Sequence, residues 1–237
     1  MRKLIARGVD AVAVPLIEIG PPADLQPVAD AWQGLAGRGL VVFVSANAVA
    51  RFFAAIPAGA AWPQGLLAAA PGPGTADSLG AHGVPQAAIV APAVGAPQHD
   101  SEALWQELQR HDWRGRSVLV VRGEGGRDWL VERLAEAGAR VDAVAAYRRL
   151  APRLSAEERR QVDAAFAAPV RHAWLFSSSE AIGRLEALDG VSIAAGSRAL
   201  ASHPRIAARA REAGFATVHE VQPGLESVVA CIQSLQP

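Results

Sequence analysis

The sequence predicts an α/β protein of two lobes, each a parallel sheet flanked by helices. Two observations predict it: short strand-type runs alternate with helical patterns, and the whole pattern repeats once along the chain. Strand-type runs bounded by Gly, Pro or Ser fall at 11–19, 40–44, 66–70, 87–91, 117–121, 141–146, 173–176, 198–201 and 216–221. Helical spacing fills most of the gaps. Trp129, Leu130, Arg133, Leu134 and Ala137 follow the i, i+3, i+4 rule of an amphipathic helix, and Gly138 stands where a helix C-cap belongs. Strands that alternate with helices lie parallel, because each crossover helix covers a face of the sheet.

The repeat has three blocks in one order. Val9-Asp10-Ala11-Val12-Ala13 recurs identically as Val141-Asp142-Ala143-Val144-Ala145, an offset of 132. Phe43-Val44-Ser45 with Ala48-Val49 recurs as Leu175-Phe176-Ser177-Ser178 with Ala181-Ile182, an offset of 133 for Ser45 and Ser178. Pro73 and Ala76, ending in His82-Gly83, recur as Pro204 and Ala207, ending in Ala213-Gly214, an offset of 131 for the prolines. Nearly equal offsets carry the argument, since any single block could arise by chance in an Ala-rich chain. The second copy of the first block is preceded by a strand, a glycine-rich turn and a helix at 117–134, whose counterpart would fall before Met1. The reading therefore expects the first lobe to lack its N-terminal strand.

Composition narrows the function classes. Basic and acidic residues balance at 23 each, which gives no global field for nucleic acid or an anionic membrane, so an anionic ligand must be held locally. No apolar run approaches the roughly 20 residues of a membrane span. Arg7 and Asp10 interrupt the N-terminus where a signal peptide would be apolar. One cysteine, Cys231, forms no internal disulfide and fits a reducing, cytoplasmic setting. No Walker loop, His-Glu-x-x-His or Cys/His metal spacing occurs, so no metal is expected. Arg122-Gly123-Glu124-Gly125-Gly126-Arg127 resembles a dinucleotide fingerprint but lacks the full glycine pattern and the acidic residue that should follow.

Candidate site residues follow from position. Ligands of open α/β sheets bind beyond the carboxyl ends of strands, where helix N-termini offer free amides to carboxylates or phosphates. The groups so placed are Ser45 and Asn47, Gly74 and Thr75, Arg122 and Gly123, Ser177, Ser178 and Ser179, and His203, a candidate acid. Tyr147, the only tyrosine, closes the 141–146 run just before Arg148 and Arg149, which puts a phenol at the cleft edge.

The order of Pro15-Leu16-Ile17-Glu18-Ile19, Phe43 through Val49, Gly72-Pro73-Gly74-Thr75-Ala76, Asp100 through Leu104, Val118 through Arg127, Tyr147-Arg148-Arg149 and Leu175 through Ile182 resembles the uroporphyrinogen-III synthase family. The resemblance implies flavodoxin-like halves joined by a two-stranded linker. It implies a discontinuous lobe over 1–22 and 170–237, a second over 36–150, and connections at 23–35 and 151–169. It further implies a cytoplasmic hydro-lyase, a monomer needing no cofactor, which closes linear hydroxymethylbilane to uroporphyrinogen III with inversion of ring D in the inter-lobe cleft. The substrate would be handed over by hydroxymethylbilane synthase. Tyr147 matches the family tyrosine that hydrogen-bonds the departing hydroxyl. Ser45, Thr75 and Ser178 match family cleft hydroxyls, and Arg122 and Arg148 become charge partners for the substrate's carboxylates. Ile206 departs from the pattern, standing where related proteins can carry Thr. Two other readings share these features: a non-catalytic two-lobed binder of an anionic small molecule, and an N-terminally truncated, inactive synthase.

Overall fold

The structure, a computed structural model, describes residues 2–93, 96, 98–222 and 224–235. The chain divides into two compact units, one of residues 1–18 and 150–237 and the other of 19–149. In chain order the elements are α1 (Arg2–Ile5), β1 (Glu18–Gly20), α2 (Gln26–Gln33), β2 (Leu40–Phe43), α3 (Ala46–Phe53), β3 (Leu67–Ala69) and α4 (Pro73–Ala81). They continue with β4 (Ile89–Val90), α5 (Ser101–Leu108), β5 (Ser117–Gly123), α6 (Trp129–Glu136), β6 (Arg140–Leu150) and α7 (Ala156–Ala167). The last are β7 (Ala173–Phe176), α8 (Ser179–Glu186), β8 (Arg198–Ala201), α9 (Pro204–Glu212), β9 (Thr217–Glu220) and α10 (Leu225–Ser234).

Unit 19–149 is built on a six-stranded sheet ordered β1-β6-β5-β2-β3-β4. Strands β6, β5, β2, β3 and β4 pair parallel, so their carboxyl ends share one edge. Leu40, Val41, Val42 and Phe43 are all buried, as a parallel strand covered on both faces requires. Their period-2 alternation sorts them into two cores. Val41 and Phe43 join Leu119 and Val121 against Val28 and Trp32 of α2, Phe52 of α3 and Leu79 of α4. Leu40 and Val42 join Val118 and Val120 against Leu104 and Leu108 of α5 and Leu130 and Leu134 of α6. Each fully buried side chain of this size contributes roughly 1.5–3 kcal/mol.

The other unit carries a parallel three-stranded sheet, β7-β8-β9. Its main core joins Phe176, Ala199 and Ala201 to Val162 of α7, Ile182 and Leu185 of α8, and Ile206, Ala207 and Ala210 of α9. On the other face Leu200 meets Val221 and Val228.

The repeat is punctuation made visible. Helices α4 and α9 both span nine residues and start with Pro, whose missing N–H costs nothing there. Both close in the same way. Gly83 and Gly214 adopt φ of 85° and 98° and donate to Gly80 O and Arg211 O, while Val84 N and Phe215 N reach back to Leu79 O and Ala210 O. Ser45 and Ser178 likewise stand at the N-caps of eight-residue helices, α3 and α8.

Three expectations differ from the structure. Residues 11–17 form no strand, and the first ladder begins at Glu18. The identical Val141–Ala145 sequence becomes strand because β5 pairs with it; among the described residues no strand pairs with the first copy. Residues 23–35 are not a connection, since α2 buries Val28 and Trp32 in the core of unit 19–149. Residues 151–169 hold α7, whose Val162 is fully buried in the other unit.

Candidate active site

The parallel order β6-β5-β2-β3 brings four chain segments to one sheet edge: Tyr147, Gly123, Ser45 and the Gly72–Thr75 turn. Ser45 has extended backbone, and its Oγ accepts from Ala48 N at 3.2 Å, so it caps α3. The same Oγ lies 3.2 Å from the Tyr147 hydroxyl. Tyr147 is not at an exposed rim. Its ring is 1% exposed within the apolar core, because β6 runs on to Leu150 and carries the ring beneath the end of β5.

Strand β5 is irregular where the two meet. Its register against β6 shifts between Arg122 and Gly123, so Gly123 stands opposite Tyr147, and Glu124 N donates to Tyr147 O at 2.8 Å. Arg149, on the same strand face two residues on, donates to the Tyr147 hydroxyl at 3.3 Å, with its guanidinium 5.4 Å from the ring centroid. Arg148 alternates to the opposite face, where its Nε is buried without a hydrogen-bond partner among the described residues. Of the two neighbouring arginines, it is therefore Arg149 that attends the phenol. Strand period carried that distinction in the sequence, yet the sequence reading did not single out Arg149.

Arg122 is engaged within its own turn. Its Nη1 donates to Gly126 O at 3.2 Å and Asp128 Oδ1 at 2.6 Å, which closes the glycine-rich loop. Asn47 and Gly74 are exposed in the first turns of α3 and α4, while Thr75 is 7% exposed in the α4 turn. A side chain at Gly74 would meet nothing within 4 Å, so this turn faces open space, although the Thr75 and Ala76 amides already donate to Gly72 O at 3.1 Å.

In the other unit, a cavity of about 450 Å³ is lined by Ser177, Ser178, Ser179, Ser202, His203, Arg205 and Ile206. It collects the N-termini of α8 and α9, with one cation, Arg205, among small hydroxyls. His203 caps α9: its Nδ1 accepts from Arg205 N at 3.1 Å, which puts the ring proton on Nε2. The serine hydroxyls, the N-terminus of α8 and Arg205 suit carboxylates, whereas the first amides of α9 are already taken by His203. Among the described residues no group of three His, Cys, Asp or Glu could hold a metal ion, and no helix is long and apolar enough to cross a membrane.

The family model for uroporphyrinogen-III synthase HemD matches residues 1–230. The chain belongs to the uroporphyrinogen-III synthase family. Members of this family are lyases of porphyrin and haem biosynthesis. A mutant uroporphyrinogen III synthase from the extreme thermophile Thermus thermophilus is similar over 99% of this chain and 92% of its own, with 20% identity and a TM-score of 0.56. Uroporphyrinogen-III synthetase from Helicobacter pylori 26695 is similar over 96% and 97%, with 15% identity and a TM-score of 0.54. At such identities these likenesses establish a shared two-domain α/β fold. Within the synthase family frame, both clusters lie where open α/β sheets bind their ligands.

Proposed function

We propose that the chain closes linear hydroxymethylbilane to uroporphyrinogen III, losing water and inverting ring D through a spiro intermediate. The observation that carries this reading is the Ser45–Tyr147 hydroxyl pair at the carboxyl ends of parallel strands. An electron-rich pyrrole expels the hydroxyl of its own hydroxymethyl arm readily, so the protein needs no strong acid. A hydrogen bond from this pair to the departing oxygen helps break the C–O bond and release hydroxide, which is matched by the proton that the tetrapyrrole loses as the closed ring regains aromaticity, so one water is lost overall. The remaining task is to hold a flexible tetrapyrrole so that one carbon is attacked rather than another.

Eight carboxylates make the substrate a polyanion. Asn47, Gly74 and Thr75 stand in helix first turns in one unit, and Ser177, Ser178, Ser179 and Arg205 line the cavity of the other, and each set suits carboxylates. Arg122 acts by shaping the glycine-rich turn. The chain works in the cytoplasm as a monomer that receives its substrate from hydroxymethylbilane synthase.

The test compares type III formation by the chain with Tyr147 and with Tyr147→Phe. Without the phenol hydroxyl, Ser45 loses the partner that directs its own hydrogen toward the developing charge, and turnover slows roughly 10- to 1,000-fold. An unchanged rate in a folded variant removes Tyr147 from the chemistry. A binding protein would instead retain the tetrapyrrole without turning it over.

A further inference from the structure

We infer that Gly123 and Arg149 are positioning residues that together hold the Tyr147 phenol against Ser45; the inference rests on the reading that this hydroxyl pair acts in the reaction. Space sets the role of Gly123. A Cβ built there would stand 2.7 Å from both Cε2 and Cζ of Tyr147 and 3.1 Å from its hydroxyl. Ordinary carbon contacts begin near ~3.5 Å, and the ring is buried, so it has no free direction in which to yield. Any side chain at position 123 drives the phenol off Ser45. The register shift between Arg122 and Gly123 is what brings the one residue without a side chain opposite the ring.

Arg149 holds the ring from its own strand. Its guanidinium lies 5.4 Å from the ring centroid and donates to the hydroxyl oxygen at 3.3 Å. The hydrogen count then gives the pair a direction. Ser45 Oγ accepts from Ala48 N, Tyr147 accepts from Arg149, and the Ser45–Tyr147 bond uses one of the two hydroxyl hydrogens. The second hydrogen is left to donate to a ligand. With Arg149 occupying the phenol oxygen, the phenol hydrogen turns to Ser45, and the half-buried Ser45 becomes the outward donor.

Tyr147 is the only tyrosine, so protein carrying tyrosine labelled with carbon-13 at Cζ gives a single ring signal. Gly123→Ala and Arg149→Met are each expected to move that signal and to lower kcat by roughly 10-fold or more, with KM changed less than about 3-fold. Gly123→Ala should also lower Tm by roughly 2–10 °C in the presence of Tyr147 and have almost no effect in a Tyr147→Ala background, where the ring is gone. An unmoved tyrosine signal in both variants, or an equal loss of Tm in both backgrounds, overturns the positioning role. A rise in KM for Arg149→Met with kcat intact also overturns it, since Arg149 would then be a direct carboxylate ligand. If Tyr147→Phe keeps full turnover while the tyrosine signal moves as expected, the positioning stands and the reading of Tyr147 as an acting group fails.

Discussion

At the scale of single residues, burial separates groups that the sequence leaves alike. Tyr147-Arg148-Arg149 reads as an aromatic followed by two equivalent cations, yet strand alternation sends Arg148 to one face and Arg149 back to the phenol. That much was legible from a period of two. The burial of Tyr147 was not, because it depends on the missing side chain of Gly123 and on a register shift that no local pattern encodes. Ser45 illustrates the opposite case: an N-cap before an apolar helix is read directly from sequence, and the structure shows it capping. Ser45→Ala removes both the cap and the hydroxyl partner of Tyr147. It should cost about 0.5–2 kcal/mol of stability by urea unfolding, together with a loss of turnover larger than that destabilisation would cause in a still-folded protein. Cys231 gives a reactivity prediction. Burial raises its thiol above the ordinary value, so less thiolate is present near pH ~8, and alkylation should be slower in the folded protein than after unfolding in urea.

At the scale of elements, helix punctuation was the most legible feature, because caps are set by local geometry. The sequence reading nevertheless passed over the signal that opens α7, a reciprocal capping box in which Ser155 N donates to Glu158 Oε2 at 2.7 Å and Glu158 N to Ser155 Oγ at 3.2 Å. Gly138 closes α6 at φ 89°, and a Cβ there would lie 3.2 Å from the Arg114 backbone. Gly83 closes α4 at φ 85° with open space around it. Both Gly→Ala changes force a left-handed backbone on a side chain, each costing about 1 kcal/mol or more, and Gly138→Ala should cost more because it also crowds Arg114. Urea unfolding of the two variants checks the order, and an equal loss would show that crowding adds nothing. Strands were less legible. Val-Asp-Ala-Val-Ala is strand at 141–145 and not at 9–13, which shows that a ladder partner, not propensity, decides the state of this segment.

At the scale of the whole molecule, the internal repeat carried the fold. Equal spacing of Pro at N1, Gly past the C-terminus and Ser before an apolar helix is enough to read two α/β halves, and both units contain those devices at the expected positions. The unit boundaries were less legible, because whether α2 and α7 join a core depends on where Trp32 and Val162 find cavities to fill. Family membership then narrows the chemistry to that of a lyase of porphyrin and haem biosynthesis, which a chain of balanced charge does not reveal. The most direct measurement feeds freshly made hydroxymethylbilane to the purified chain and resolves uroporphyrinogen I from III after oxidation. The account predicts type III in excess over the type I that forms spontaneously, and a product containing only type I would contradict it.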